Sequence, residues 1–232
     1  MHRSRPHLRA AWPAAAGLAL AATLSGCSAV AVVDALTPAT GYRLERGIAY
    51  GPDPRQRFDL YHPDRPRPDA PAVVFFYGGR WQSGDRDQYR FVGQAFAARG
   101  YVTAIPDYRL YPAVGWQGFL DDGAAAVAAV AERLGPHPGG LALAGHSAGA
   151  YIAAMLALDG HRLRDAGLDP CRVVAAVGLA GPYDFLPLED ADLRAIFGPG
   201  PAGAATQPVT HVDPGDPPML LVTGADDETV KP

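Results

Sequence analysis

Leu141-Ala142-Leu143-Ala144-Gly145-His146-Ser147-Ala148-Gly149-Ala150-Tyr151-Ile152-Ala153-Ala154-Met155-Leu156 decides the fold of this chain. Leu141 to Ala144 is a short apolar run of the kind that makes a buried strand, and the run from Ala150 reads as a helix. Between them lies Gly145-His146-Ser147-Ala148-Gly149, a G-x-S-x-G pentapeptide. A sharp strand-to-helix turn at this point holds the serine in a strained conformation with its hydroxyl exposed. Glycines two residues to either side leave room where side chains would collide with neighbouring backbone. The bare pentapeptide arises by chance in a Gly-rich chain, and the flanking strand and helix are what set this one apart. Ser147 is the candidate nucleophile.

Outward from the turn, short apolar runs alternate with helical patterns. Ala72 to Tyr77, Tyr101 to Ile105, Val173 to Leu179 and Met219 to Thr223 read as strands. Gln88 to Arg99 reads as a helix with Phe91, Val92, Ala95 and Phe96 on one face. Trp116 to Leu134 is an Ala-rich helix stopped by Gly135-Pro136, and another helix is expected near Glu189 to Phe197. Arg43 to Tyr50 and Arg57 to Tyr61 read as antiparallel strands joined at Gly51-Pro52-Asp53-Pro54. Pro63 to Pro71 and Gly198 to Pro218 are expected to be loops. The alternation predicts an α/β domain with a mostly parallel central sheet and helices on both faces.

The N-terminus reads as a leader. Arg3, Arg5 and Arg9 make a positive segment, and Ala14 to Leu24 is an apolar stretch too short to span a bilayer comfortably. It ends in Leu24-Ser25-Gly26-Cys27, which resembles the bacterial lipobox. That resemblance implies a signal peptide over 1–26, lipid on Cys27, and a membrane partner through the acyl chains. Ser28 in place of Asp implies the outer membrane, facing the periplasm. Residues 27–41 are then a lipid-anchored tether and 42–232 one domain. Of the two cysteines, Cys171 is left without an intramolecular partner and is expected to be a small core residue. The formal net charge of -4 and the lack of basic clusters after the leader exclude a nucleic-acid partner.

Acyl transfer by serine needs an oxyanion hole, a base and an acid that orients the base. Phe75-Phe76-Tyr77-Gly78-Gly79-Arg80-Trp81 resembles the H-G-G-x-W loop of α/β-hydrolase esterases, with Tyr77 standing where the family has His. With Asp107-Tyr108-Arg109-Leu110, the Ser147 turn and Gly224-Ala225-Asp226-Asp227-Glu228-Thr229-Val230, the resemblance runs through nearly the whole domain in the family's order. It is to the carboxylesterase group that includes hormone-sensitive-lipase-like esterases, acetylxylan/feruloyl esterase-type enzymes, arylformamidases and isoprenylcysteine methylesterases. It implies the α/β-hydrolase fold, a small-molecule ester substrate and no metal or organic cofactor. It implies oxyanion donors in the N–H groups of Gly78, Gly79 and Ala148. No G-K-[ST] follows the glycines, which counts against a phosphate loop.

For the acid, the G-x-x-D-x-x-V pattern fits Gly224, Asp227 and Val230, with Asp184 as a fallback. Asp107 and Arg109 are expected to tie their loop together rather than to react. The base is where the sequence departs from the family, whose order is Ser, acid, His. No histidine follows Asp227 before Pro232. His146 is expected to point away from the serine, and His211 is the one internal candidate for a base. The expectation is a C-terminally truncated reading of a longer esterase, with the last strand and helix missing. The rival functions are an arylformamidase and a non-catalytic remnant of the fold.

Overall fold

The computed structural model describes residues 29–198, 201–227 and 229–230. The leader, Cys27, Ser28 and Glu228 lie outside the described residues. Seven strands form one sheet: β1 (Tyr42–Ala49), β2 (Arg57–Pro63), β3 (Ala72–Phe76), β4 (Thr103–Pro106), β5 (Leu141–His146), β6 (Val173–Leu179) and β7 (Met219–Val222). Their order is β1-β2-β4-β3-β5-β6-β7. The pairs β1–β2 and β2–β4 are antiparallel, and every pair from β4 to β7 is parallel. The described helices are α1 (Ala29–Leu36), α2 (Arg90–Ala97), α3 (Trp116–Leu134), α4 (Ala148–Leu158), α5 (Gly160–Asp165) and α6 (Ala191–Phe197). This is the mostly parallel α/β sheet expected from the strand and helix alternation, in the α/β-hydrolase arrangement that the family resemblance implies.

β3 is Ala-Val-Val-Phe-Phe and every residue of it is buried, as a parallel strand covered on both faces must be. α4, which follows the Ser147 turn, is buried along its whole length. It lies over β5, β6 and β3, with α3 packed outside it. The two helices approach closely because Gly123 of α3 has no side chain. A Cβ there would stand 2.9 Å from Ile152 Cγ2 and 3.1 Å from Leu156 Cδ1. Burying such Ile, Leu and Phe side chains stabilises the fold by about 1.5–3 kcal/mol each. The Ser147 turn thus joins β5 to a fully buried helix that packs on it.

Several expectations need correction. Cys171 is exposed rather than in the core, because it falls in a 3-10 turn (Pro170–Arg172) before β6 begins. The stretch from Gly198 to Pro218 is not plain loop. It holds 3-10 turns at Pro201–Thr206 and Pro208–His211. α5 was not anticipated, being a short turn capped by the Asp159 side chain rather than a periodic apolar run. Residues 29–36 form α1, which docks on the domain: Asp34 Oδ1 accepts the Phe91 N–H at 3.1 Å, and Arg90 reaches the Asp34 and Thr37 carbonyls. No described helix is long and apolar enough to cross a membrane. At the far edge of the sheet, Leu220, Leu221 and Val222 of β7 are 59%, 52% and 46% exposed.

Candidate active site

Ser147 sits between β5 and α4 with φ 51° and ψ −120°. A non-glycine residue there costs of order 1–3 kcal/mol and persists only where the surroundings enforce it. Here they do. The Ser147 N–H donates to the Leu179 carbonyl at 2.8 Å, and its carbonyl accepts from Ala150 and Tyr151. The flanking glycines are required by contact. A Cβ on Gly145 would stand 2.2 Å from the Gly149 carbonyl oxygen, and one on Gly149 would stand 2.1 Å from that of Phe76. Both distances are far inside van der Waals contact, so the turn closes against β3 only with glycine at both places.

The loop after β3 abuts this serine. A Cβ on Gly78 would lie 3.0 Å from Ser147 Cβ and 2.9 Å from His146 Nδ1. Of the three expected oxyanion donors, Gly78 has its backbone near Tyr89, whose phenol is raised by burial and partly lowered by that backbone. The Gly79 and Ala148 N–H groups donate to no acceptor among the described residues. For Ala148 this follows from its place as the first residue of α4, where helical N–H groups have no intrahelical partner.

Tyr77 anchors the loop from below. Its hydroxyl donates to Asp107 Oδ1 at 2.6 Å and accepts from Arg55 Nη2 at 2.8 Å. Its ring stacks between Tyr89 and Tyr108, with centroids 5.2 and 5.1 Å away. Burial first, and the Asp107 charge second, drive the phenol far above its usual range, so Tyr77 stays a neutral donor. Asp107 is buried and also takes the Arg86 N–H at 2.8 Å and the Arg86 guanidinium. Burial pushes its carboxyl up, against these donors. Arg55 ties the same cluster to the Tyr108 and Gly84 carbonyls, at 2.9 and 2.8 Å. Arg109 binds buried Asp122 through Nη2 at 2.7 Å and Nε at 2.9 Å. Asp107 and Arg109 therefore tie their loop as expected. Arg55, Arg86 and Asp122 did not stand out in the sequence, because isolated charged residues carry no spacing signal. An aspartate directly after an apolar strand, needing partners for its charge, was the one available hint.

Asp227 is brought to the same end of the sheet by register. His146 pairs with Leu179 and Leu179 with Val222, so the turn after β7 stands level with the Ser147 turn. Asp227 Oδ1 accepts the N–H groups of Val230 and Thr229, each at 2.9 Å. These bonds, with a smaller pull from His146, hold its carboxyl below the usual range. The fallback Asp184 is exposed and accepts no hydrogen bond among the described residues. The His146 ring is lowered by partial desolvation, with Asp227 pulling it back up. It makes no hydrogen bond to Ser147.

His211 is not in the site. Its Nε2 lies 3.0 Å from the Ala205 carbonyl oxygen. With Ala157, Leu158 and Val173 it lines a cleft of about 750 Å³ at the opposite end of the sheet, where α4 finishes and β6 starts. An eleven-residue helix separates that end from Ser147, about 16 Å at the helical rise. That rules out His211 as the base. Among the described residues no histidine hydrogen-bonds the serine.

A family model named BD-FAE matches residues 58–232. The chain belongs to the BD-FAE family. The match takes in the loop after β3, the Ser147 turn and the Asp227 turn, which are the parts that the fold gathers at one end of the sheet. Among curated relatives, isoprenylcysteine alpha-carbonyl methylesterase of Arabidopsis thaliana is 32% identical over 155 residues, 64% of this chain and 36% of its own length. Kynurenine formamidase of Danio rerio is 30% identical over 141 residues, 61% of this chain and 47% of its own. The chain spans less than half the length of either. Among solved structures, Thermogutta terrifontis esterase 2 is 28% identical with a TM-score of 0.66, over 84% of this chain and 75% of its own. Thermogutta terrifontis esterase 2 shares the α/β-hydrolase fold described above.

Proposed function

We infer that the protein is a serine hydrolase of carboxylic esters that works through an acyl-Ser147 intermediate. The observation that carries this is Ser147 at φ 51°, held against Gly78 beside unpaired N–H groups of Gly79 and Ala148. Ser147 Oγ attacks the ester carbonyl carbon while a base takes its proton, and the oxygen that gains charge is received by those N–H groups. Collapse expels the alcohol, which takes the proton from the base. Water, activated by the same base, then attacks the acyl-serine, releases the acid and restores Ser147. Asp227 orients the base and stabilises its charged form. Chain order in this fold assigns the base to a histidine following Asp227.

Kynurenine formamidase among the relatives favours one second reading, the same chemistry on a formamide. Assay of the protein on p-nitrophenyl acetate and N-formylkynurenine separates the two. The ester is expected to turn over faster, and Ser147→Ala is expected to abolish the reaction. Preference for the formamide would move the assignment to the second reading. Turnover retained by Ser147→Ala would remove both.

The lipobox resemblance supports a second part of this reading, acylation of Cys27 and attachment to the outer membrane facing the periplasm. Expressed with its leader, the protein is expected to fractionate with membranes, and Cys27→Ala to release it or leave it unprocessed. Recovery of the parent as soluble protein without acyl mass would contradict the anchor.

A further inference from the structure

Immediately after the oxyanion glycines the backbone enters a costly conformation. Gly79 (φ 133°), Arg80 (φ 54°) and Trp81 (φ 59°) are consecutive residues of positive φ. Glycine takes such values freely. An L side chain does not, so residues 80 and 81 need support from elsewhere. Trp81 is supported from below: its indole is 3% exposed and packs on Phe119, Tyr151 and Phe197, with ring centroids at 6.3, 5.4 and 4.9 Å. Its carbonyl accepts the Tyr111 N–H at 2.8 Å.

Arg80 is supported from the side. Its Nη2 donates to Asp190 Oδ2 at 3.1 Å and lies 3.9 Å from Asp192 Oδ2. Asp190 is fixed in turn, since its Oδ1 caps α6 by accepting the N–H groups of Asp192 and Leu193 at 2.9 and 3.0 Å. At the other end of α6, Phe197 enters the Trp81 cluster. Loop residues 80 and 81 are therefore bound to the two ends of one helix, by an ionic contact and an aromatic one. The Arg80 N–H, like that of Gly79, donates to no acceptor among the described residues. The backbone so held is the stretch that would face a developing oxyanion.

We propose that Arg80 is a positioning residue: its ion pair with Asp190 and Asp192 straps α6 to the oxyanion loop and holds the loop amides in their working orientation. The meaning of the strap for catalysis rests on the esterase reading; the strap itself does not. The Arg80 and Asp190 side chains are 49% and 44% exposed, so dissolved ions reach the pair and weaken it. The Trp81–Phe197 contact is apolar and lacks that sensitivity. Salt therefore loosens one of the two attachments, and loop and helix respond together.

Hydrogen exchange followed by mass spectrometry tests this in peptides covering 78–84 and 188–198. At low salt, Arg80→Gln is expected to speed exchange in both segments by about two- to fivefold, with Arg80→Lys keeping most of the protection. About 1 M NaCl should bring the parent close to Arg80→Gln and leave that variant unchanged. Asp192→Asn, which spares the cap, should give a smaller effect of the same sign. In a form of the protein that hydrolyses p-nitrophenyl acetate, kcat should fall by a similar factor in Arg80→Gln with KM unchanged. Unaltered exchange at 188–198 in Arg80→Gln, or parent exchange indifferent to salt, would overturn the strap. Failure to hydrolyse any ester would count against the functional reading alone, because the exchange result judges the strap by itself.

Discussion

Tyr77 shows how much one side chain can settle. The family's loop carries His at this position, and here a phenol donates to Asp107 and accepts from Arg55. Tyr77→Phe leaves a buried carboxylate short of a donor and a guanidinium short of an acceptor. It is expected to lower stability by about 1–3 kcal/mol, read from urea denaturation. Stability equal to the parent would mean that Arg86 alone satisfies Asp107. A second residue-scale prediction concerns His146. Its pKa is lowered in the folded protein, so the ring stays neutral until the pH falls below the ordinary imidazole range. Whatever stability this ring contributes is present above that range and is lost as protons bind on acidification. Asp227 pulls the value upward, so Asp227→Asn should move the NMR titration midpoint of His146 further down. A midpoint that does not move would separate Asp227 from the Ser147 turn.

At the scale of elements, the strand–turn–helix around Ser147 was legible because three signals coincide there: an apolar run, a glycine pair and a helical pattern. The structure adds why the glycines are needed. Gly149→Ala places a methyl 2.1 Å from the Phe76 carbonyl oxygen, and that oxygen belongs to a buried strand that cannot yield. A loss of about 2–4 kcal/mol in chemical denaturation is expected. Gly135→Ala, with nothing within 4 Å but φ 65° and ψ −151°, should cost about 1–3 kcal/mol from backbone strain alone. A Gly149→Ala cost below that of Gly135→Ala would contradict the packing argument. What stayed illegible were elements defined by caps and partners rather than by period. α5 begins on an Asp159 cap, and the support of Arg80 by Asp190 joins residues 110 positions apart. Cys171 has apolar neighbours in sequence, which points to burial, but its turn lies outside the sheet.

For the whole molecule, parallel register brings the Ser147 turn, the end of β6 and the Asp227 turn to one end of the sheet, with the loop after β3 beside them. The strand and helix alternation foretold that sheet, and the family resemblance foretold which loops would meet. The same register leaves β7 at the edge with Leu220, Leu221 and Val222 exposed, an edge on which another strand can pair. The 232-residue chain is therefore expected to self-associate, and Leu221→Lys to reduce this in analytical ultracentrifugation. A parent that is monomeric at high concentration would contradict that reading of the edge.

The claim that holds the account together is that Ser147 is the acyl-accepting nucleophile, served by a base and by Asp227. Intact-mass and peptide analysis after treatment with a fluorophosphonate tests it most directly, on a form of the protein that hydrolyses p-nitrophenyl acetate. The account predicts one adduct, located on Ser147, absent from Ser147→Ala and formed about 10⁴-fold more slowly in Asp227→Asn if Asp227 behaves as a triad acid. Labelling of Ser147→Ala equal to the parent, or an adduct on any other residue, would contradict it.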